Sequence, residues 1–235
     1  LEEFRRTARE NMFRGVDVLK IFVTPGAPAA RPEEFIPCYI SYDEIRTVVE
    51  EAKALNIRTA AHCIGGKGLD YCVRAGIDVI EHVYSITPEQ VRLVEEVHEG
   101  WIDMTSGIVL DPEREPYCPP ASVRKMHDAR EYSRQCINQI YQSGKIRYTL
   151  GTDANHGLLY KELEYACEGG ASTLDALKGV TVRAAQMCGL ENCTGQITVG
   201  MKADLIAVDE NPLEKIGTLK DVKFVMKSGK VYKRP

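Results

Sequence analysis

Four residues of this sequence carry the chemistry it can do: Lys20, His62, His82 and Asp153. Each lies in or at the end of a short apolar run: VLKIFV (18–23), RTAAHC (58–63), VIEHV (79–83) and YTLGTD (148–153). In the first run five of six residues are apolar, and Thr-Pro-Gly stops it. Such a run reads as a strand buried on both faces. A lysine there cannot remain a bare ammonium, because burying an unpaired charge costs too much. The four residues are separated by 42, 20 and 71 positions, too far for any local motif. Only a fold can join them. Parallel strands bring their C-terminal ends to one face. Two imidazoles, a carboxylate and a lysine gathered there can hold a hard or borderline divalent metal such as Zn²⁺.

Simpler readings exist for each residue alone. A single histidine in a strand is commonly a hydrogen-bonded core residue, Asp153 in GTDANHG can cap the turn that follows, and Lys20 can be a paired structural lysine. Their recurrence at successive strands favours a shared site. His156, three residues past Asp153, is expected on the same face as a substrate-binding residue. His98 in EEVHEG reads as a solvated helix end, and His127 as an early helix residue after a long loop. Cys63 follows His62 and should point to the opposite face, into the core. Glu81 precedes His82 and by the same alternation should point away from the site, in a structural role.

The elements that must position these residues alternate. Between the four runs and a fifth, WIDMTS (101–106), lie helical patterns. Residues 41–57 open with Ser41 and Glu44, the spacing of a capping box, and Ile45, Val48, Val49, Ala52 and Leu55 follow helical spacing. A short helix over 66–75 ends at Gly76. Thr87 and Pro88 start another. A long helix spans 122–144, and the last of this type covers 173–190. Residues 107–120 are expected to be an irregular loop at the strand ends, where ligands bind. Strand and helix in repetition make a parallel α/β fold. Beyond residue 191 short alternating segments turn at glycine, as antiparallel strands do. The expected domains are therefore 1–190 and 191–235.

The 235 residues carry a formal net charge of −4, 44% hydrophobic and 27% charged residues, and no basic cluster. Nucleic acid is not an expected partner. No apolar run approaches the ~20 residues of a membrane span, and the charged opening LEEFRRTARE does not read as a signal peptide. Eight cysteines without a CxxC pair read as reduced thiols of a cytoplasmic protein.

VLKIF, AAHCIGGKGLDYCVRAGIDVIEH, GTDANHG, and ADLIAVDENPL followed by VMKSGKVY stand in an order that resembles the amidohydrolase superfamily, in particular its imidazolonepropionase and Xaa-Pro dipeptidase group. The resemblance implies a (β/α)8 barrel with a small β-sandwich domain. Lys20 would end strand four as a CO₂-derived carbamate bridging two divalent metals, with zinc the expected metal. His62 and His82 would be the ligands from strands five and six. Asp153, from strand eight, would ligate the other metal and act as general base. The family's His-x-His of strand one is not formed by any of the five histidines. By the resemblance the chain is expected to correspond to strands four to eight of the barrel plus part of the sandwich, an incomplete fragment. A Tyr that some prolidase-like members carry two residues after the strand-five histidine is Ile64 here.

The implied activity is hydrolysis of amide, peptide or cyclic amide bonds of a small molecule by a metal-activated hydroxide, in a homo-oligomer. Deamination or ester hydrolysis on the same scaffold is the nearer alternative. A non-catalytic scaffold on the same fold is the more distant one.

Overall fold

The apolar runs assemble into one parallel sheet. In the computed structural model, which describes residues 1–26, 34–153 and 156–235, five strands lie side by side in chain order: β1 (Val18–Phe22), β2 (Arg58–Gly65), β3 (Val79–Ser85), β4 (Trp101–Met104) and β5 (Tyr148–Leu150). Every neighbouring pair is parallel. Parallel pairing requires crossovers, and helices supply them. They are α2 (Tyr42–Ala54), α3 (Gly66–Ala75) and α4 (Pro88–Val97), then α5 (Gly107–Leu110), a 3-10 turn (Pro112–Tyr117) and α6 (Pro120–Gln142) between β4 and β5. Helix α1 (Glu2–Phe13) precedes β1, and α7 (Leu159–Glu168), α8 (Thr173–Val180) and α9 (Val182–Met187) follow β5.

Alternation along the strands sorts the side chains. Ala61, Cys63, Ile80, Ile102, Met104 and Leu150 join the core with Ile45, Val49, Leu69, Val73, Ile137 and Ile140 of the helices. Fully burying one such aliphatic side chain is worth about 1.5–3 kcal/mol. Parallel register aligns Phe22, His62, Glu81, Asp103 and Thr149 in a single row across the sheet, opposite those core positions. The helix starts follow local chemistry. Ser41 with Glu44 and Thr87 with Gln90 each form a reciprocal capping box, and Pro88 occupies the first turn of α4.

Three expectations need correction. β1 is not buried on both faces. Leu19 packs with Ala8, Met12, Val48 and Ala52, whereas Val18, Lys20 and Phe22 are exposed. The cause is position: β1 ends the sheet and has a strand neighbour on one side only. Residues 107–120 are not irregular throughout. Ile108, Val109 and Leu110 are buried, and α5 satisfies their backbone while it buries them. Residues 173–190 do not form one helix. Three β-branched residues in succession, Val180, Thr181 and Val182, crowd the helical backbone, and the chain breaks at Thr181 (φ −125°, ψ −96°) into α8 and α9.

A second sheet is antiparallel, with β6 (Leu205–Ala207), β7 (Phe224–Lys227) and β8 (Lys230–Lys233) in chain order. Ser228 and Gly229 turn β7 into β8 with φ of 50° and 77°, the left-handed pair a tight hairpin needs. No helix of the described residues is long and apolar enough to cross a membrane.

Candidate active site at the strand ends

The two histidines come together first. His62 in β2 and His82 in β3 are 6% and 4% exposed, and their ring centroids lie 4.5 Å apart at 61°. His62 Nε2 hydrogen-bonds the Pro25 carbonyl at 2.9 Å, and Phe22 stacks on its ring at 4.9 Å. His82 Nδ1 hydrogen-bonds the Thr105 hydroxyl at 2.7 Å and lies 3.2 Å from the Tyr84 hydroxyl, which donates to the Thr105 carbonyl. Burial pushes the His82 pKa down to about 3, and the charges of His62, Lys20 and Arg114 push the same way. His82 is therefore a neutral imidazole at pH 7, with one nitrogen held by its neighbours.

Period-two alternation places Glu81, not His82, on the face of His62. His82 reaches that region because the strand leaves extended geometry: φ is +83° at His82 and +46° at Val83. For a β-branched residue such a conformation is an outlier that costs about 1–3 kcal/mol. Beside it the backbones crowd at Gly65 (φ +146°), where a Cβ would stand 2.6 Å from the Ser85 carbonyl oxygen. Glu81 therefore does not point away. Its Oε2 is 2.5 Å from Lys20 Nζ and 3.8 Å from His82 Nε2. Lys20 is not the buried lysine expected, since its side chain is 41% exposed. Its partner, Glu81, is what answers its charge.

Asp103 in β4 extends the cluster and was missed in the sequence. Its Oδ1 accepts a 2.6 Å hydrogen bond from the Thr149 hydroxyl, and a Cβ at Gly151 would lie 3.0 Å from its Oδ2. Burial raises its pKa to about 6, the Thr149 hydrogen bond opposes this, and Glu81 and Asp153 add to the rise. An acidic residue between apolar neighbours, as in Ile80-Glu81 and Ile102-Asp103-Met104, was the available signal. Asp153 stands past the end of β5 at φ +52° and is exposed. It makes no hydrogen bond or ion pair with the histidines, but its charge acts at Asp103 and Tyr84. His156 is exposed in the same turn region. His98 is not simply solvated: it is partly buried, and its ring contacts the Trp101 carbonyl at 3.3 Å. His127 pairs with Glu115 at 2.8 Å. Cys63 and Ile64 lie in the core.

The donor set suits a divalent cation in part. His62 and His82 each commit one ring nitrogen to a neighbouring oxygen, the arrangement that orients a metal-ligating imidazole. That leaves His62 Nδ1 and His82 Nε2 as two borderline nitrogen donors. Among the described residues no group of three or more His, Cys, Asp or Glu is gathered to hold a metal.

A parallel sheet with helical crossovers brings two imidazoles together at its strand ends, and the chain belongs to the amidohydrolase family, whose model matches residues 3–232. Among particular proteins, it is 30% identical over 244 residues to the ochratoxinase of Aspergillus niger, a match that takes in all of this chain and 50% of that protein. A Xaa-Pro dipeptidase solved with methionine bound in its active site is similar at a TM-score of 0.85 and 29% identity, over 99% of this chain and 58% of its own. A prolidase complexed with N-methylphosphonate-L-proline is similar at a TM-score of 0.84 and 29% identity, over 98% of this chain and 58% of its own. The chain spans about half the length of the curated relatives it matches.

Proposed function

We propose that this chain carries the strand four to eight portion of a (β/α)8 metal-dependent hydrolase of amide bonds, with residues 191–235 as its share of a β-sandwich. The observation that supports it best is the buried pair His62 and His82, one of them a neutral imidazole, at adjacent parallel strand ends. His62 and His82 would hold one divalent metal, zinc by resemblance, and Lys20 would join them as a carbamate once CO₂ has reacted with its amine. A cation bound there would polarise an amide carbonyl and acidify a water. Asp153 accepts the proton of the attacking water and returns it to the leaving nitrogen. Glu81, now in an ion pair with Lys20, holds its Nζ at the strand ends, and the ammonium would have to give up a proton before its nitrogen could react with CO₂. His156 contacts the substrate from the same turn as Asp153.

The named relatives suggest the substrate class. A dipeptidase holding methionine and a prolidase holding a proline phosphonate point to amides of amino acids. The test is turnover of short N-acyl amino acids and dipeptides with metal added and removed. A longer polypeptide that joins this chain to a strand bearing His-x-His is expected to hydrolyse them and to lose activity with chelator. This chain by itself is expected to show little or no turnover. Chelator-resistant hydrolysis by the longer polypeptide would refute the metal-dependent reading.

The lack of a three-ligand group among the described residues favours a second reading, a non-catalytic scaffold on the same fold. That reading expects no metal uptake and no hydrolysis from the longer polypeptide either.

A further inference from the structure

We propose that Glu162 is a positioning residue for His82: its carboxylate clamps the chain just past β4, so that the Thr105 hydroxyl holds His82 Nδ1 and leaves Nε2 free for a ligand. The inference rests on the metal-dependent reading above and adds to it a residue of α7.

The clamp is direct. Glu162 Oε2 accepts the Ser106 N–H and Oε1 the Gly107 N–H, each at 2.7 Å, and all three residues are buried. A Cβ at Gly107 would stand 2.8 Å from Oε1, so the close approach needs glycine there. Ser106 Oγ is tied in turn to the Tyr141 hydroxyl of α6 at 2.8 Å. Only a carboxylate serves two successive N–H groups in this way. A glutamine would turn its own NH2 donor toward one of them, and that pair cannot bond.

The clamp reaches Thr105 through one peptide plane. The Ser106 N–H and the Thr105 carbonyl belong to the same planar unit. Glu162 holds its N–H end, and the Tyr84 hydroxyl holds its carbonyl end at 2.9 Å. Thr105 is also stiff at χ1, being β-branched. Its Oγ1 is thereby set 2.7 Å from His82 Nδ1. His82 depends on such contacts, because at φ +83° the pleat of the strand does not aim its ring.

The protons can be placed. His82 Nδ1–H donates to Thr105 Oγ1, the Thr105 hydroxyl donates to Tyr84 Oη at 2.5 Å, and the Tyr84 hydroxyl donates to the Thr105 carbonyl. Each donor then has one acceptor. A proton on Nε2 instead makes no hydrogen bond among the described residues, and Glu81 Oε2, at 3.8 Å, is out of reach. The Nδ1–H form is the one that presents a lone pair at Nε2.

The test compares the parent with Glu162→Gln, Glu162→Asp, Thr105→Val, Thr105→Ser and Leu163→Ala. Leu163 is the buried core neighbour of Glu162 in α7, so its variant loosens the helix without touching the clamp. Nitrogen NMR of labelled histidine reads the tautomer of His82, and calorimetry reads zinc affinity. Burial pushes the Glu162 pKa up to about 8 against the two N–H bonds, so both are measured at about pH 8.5, where the carboxylate prevails. The parent should show His82 as the Nδ1–H tautomer. Glu162→Gln and Thr105→Val should mix the tautomers and weaken zinc binding about 10-fold. Thr105→Ser should restore both, and Leu163→Ala should lose stability and change neither. A folded Glu162→Gln with the parent's tautomer and zinc affinity overturns the proposal, as does Leu163→Ala with the same changes as Glu162→Gln. If Glu162→Gln does not fold, Glu162→Asp, whose carboxylate is withdrawn by one methylene, is held to the same outcomes. No zinc uptake by the parent, with a tautomer that depends on Glu162, overturns the metal-dependent reading and supports the role of Glu162.

Discussion

At the scale of the residue, His82 makes a prediction about pH. Its folded pKa of about 3 lies below the ordinary value near 6.5. Between these values the unfolded chain takes up a proton that the folded chain refuses, so stability falls as pH drops below about 6.5 and the loss is complete near 3. At pH 5 it amounts to about 2 kcal/mol. Asp103 acts in the opposite sense. Its pKa is raised to about 6, so its contribution is present in acid and is lost as pH rises from about 4 to 6. Urea unfolding of the parent and His82→Gln between pH 5 and 7.5 separates the two. The parent should lose more stability than the variant toward pH 5, and parallel curves would show that His82 titrates normally. Gly65→Ala tests the crowding beside this histidine. With φ +146° and 2.6 Å from a Cβ to the Ser85 carbonyl, it should cost about 2–4 kcal/mol in the same assay.

At the scale of the element, the strand runs were legible because hydrophobic period and turn residues mark them locally. The observed ends differ by a few residues, and β5 stops at Leu150, so Asp153 stands on a turn rather than in a strand. Which way side chains point was less legible. The left-handed backbone at His82 and Val83 breaks the alternation from which Glu81 was sent outward. The exposure of Lys20 depends on β1 being the end strand, a property of the sheet order and not of VLKIFV. Asp103 stands out in the sequence only as an acid between Ile102 and Met104, and its place in the row with His62 and Glu81 comes from the strand register. The brace of the strand-end loop was also hidden. Glu162 of α7 accepts the backbone N–H groups of Ser106 and Gly107, each at 2.7 Å, across more than 50 residues of chain. Glu162→Ala would leave both donors buried and unpaired, at a cost of about 2–5 kcal/mol by urea unfolding. A loss under about 0.5 kcal/mol would show that the brace contributes little. Exchanging residues 107–120 for another sequence in the longer polypeptide should change substrate preference and leave metal content intact. Lost metal with unchanged preference would contradict the place given to that loop.

At the scale of the whole molecule, the account turns on one claim: that His62 and His82, far apart in sequence and adjacent at the strand ends, hold a divalent metal. The resemblance in the sequence pointed to this pair, and the parallel register and the turn at His82 bring the rings to 4.5 Å. The most direct measurement is a zinc titration of this chain, followed by calorimetry, beside a His62→Ala, His82→Ala double variant whose fold is checked by circular dichroism. The parent should take up close to one equivalent, weakly, and the double variant none at the same concentrations. Equal uptake by both, or none by the parent, would contradict the claim.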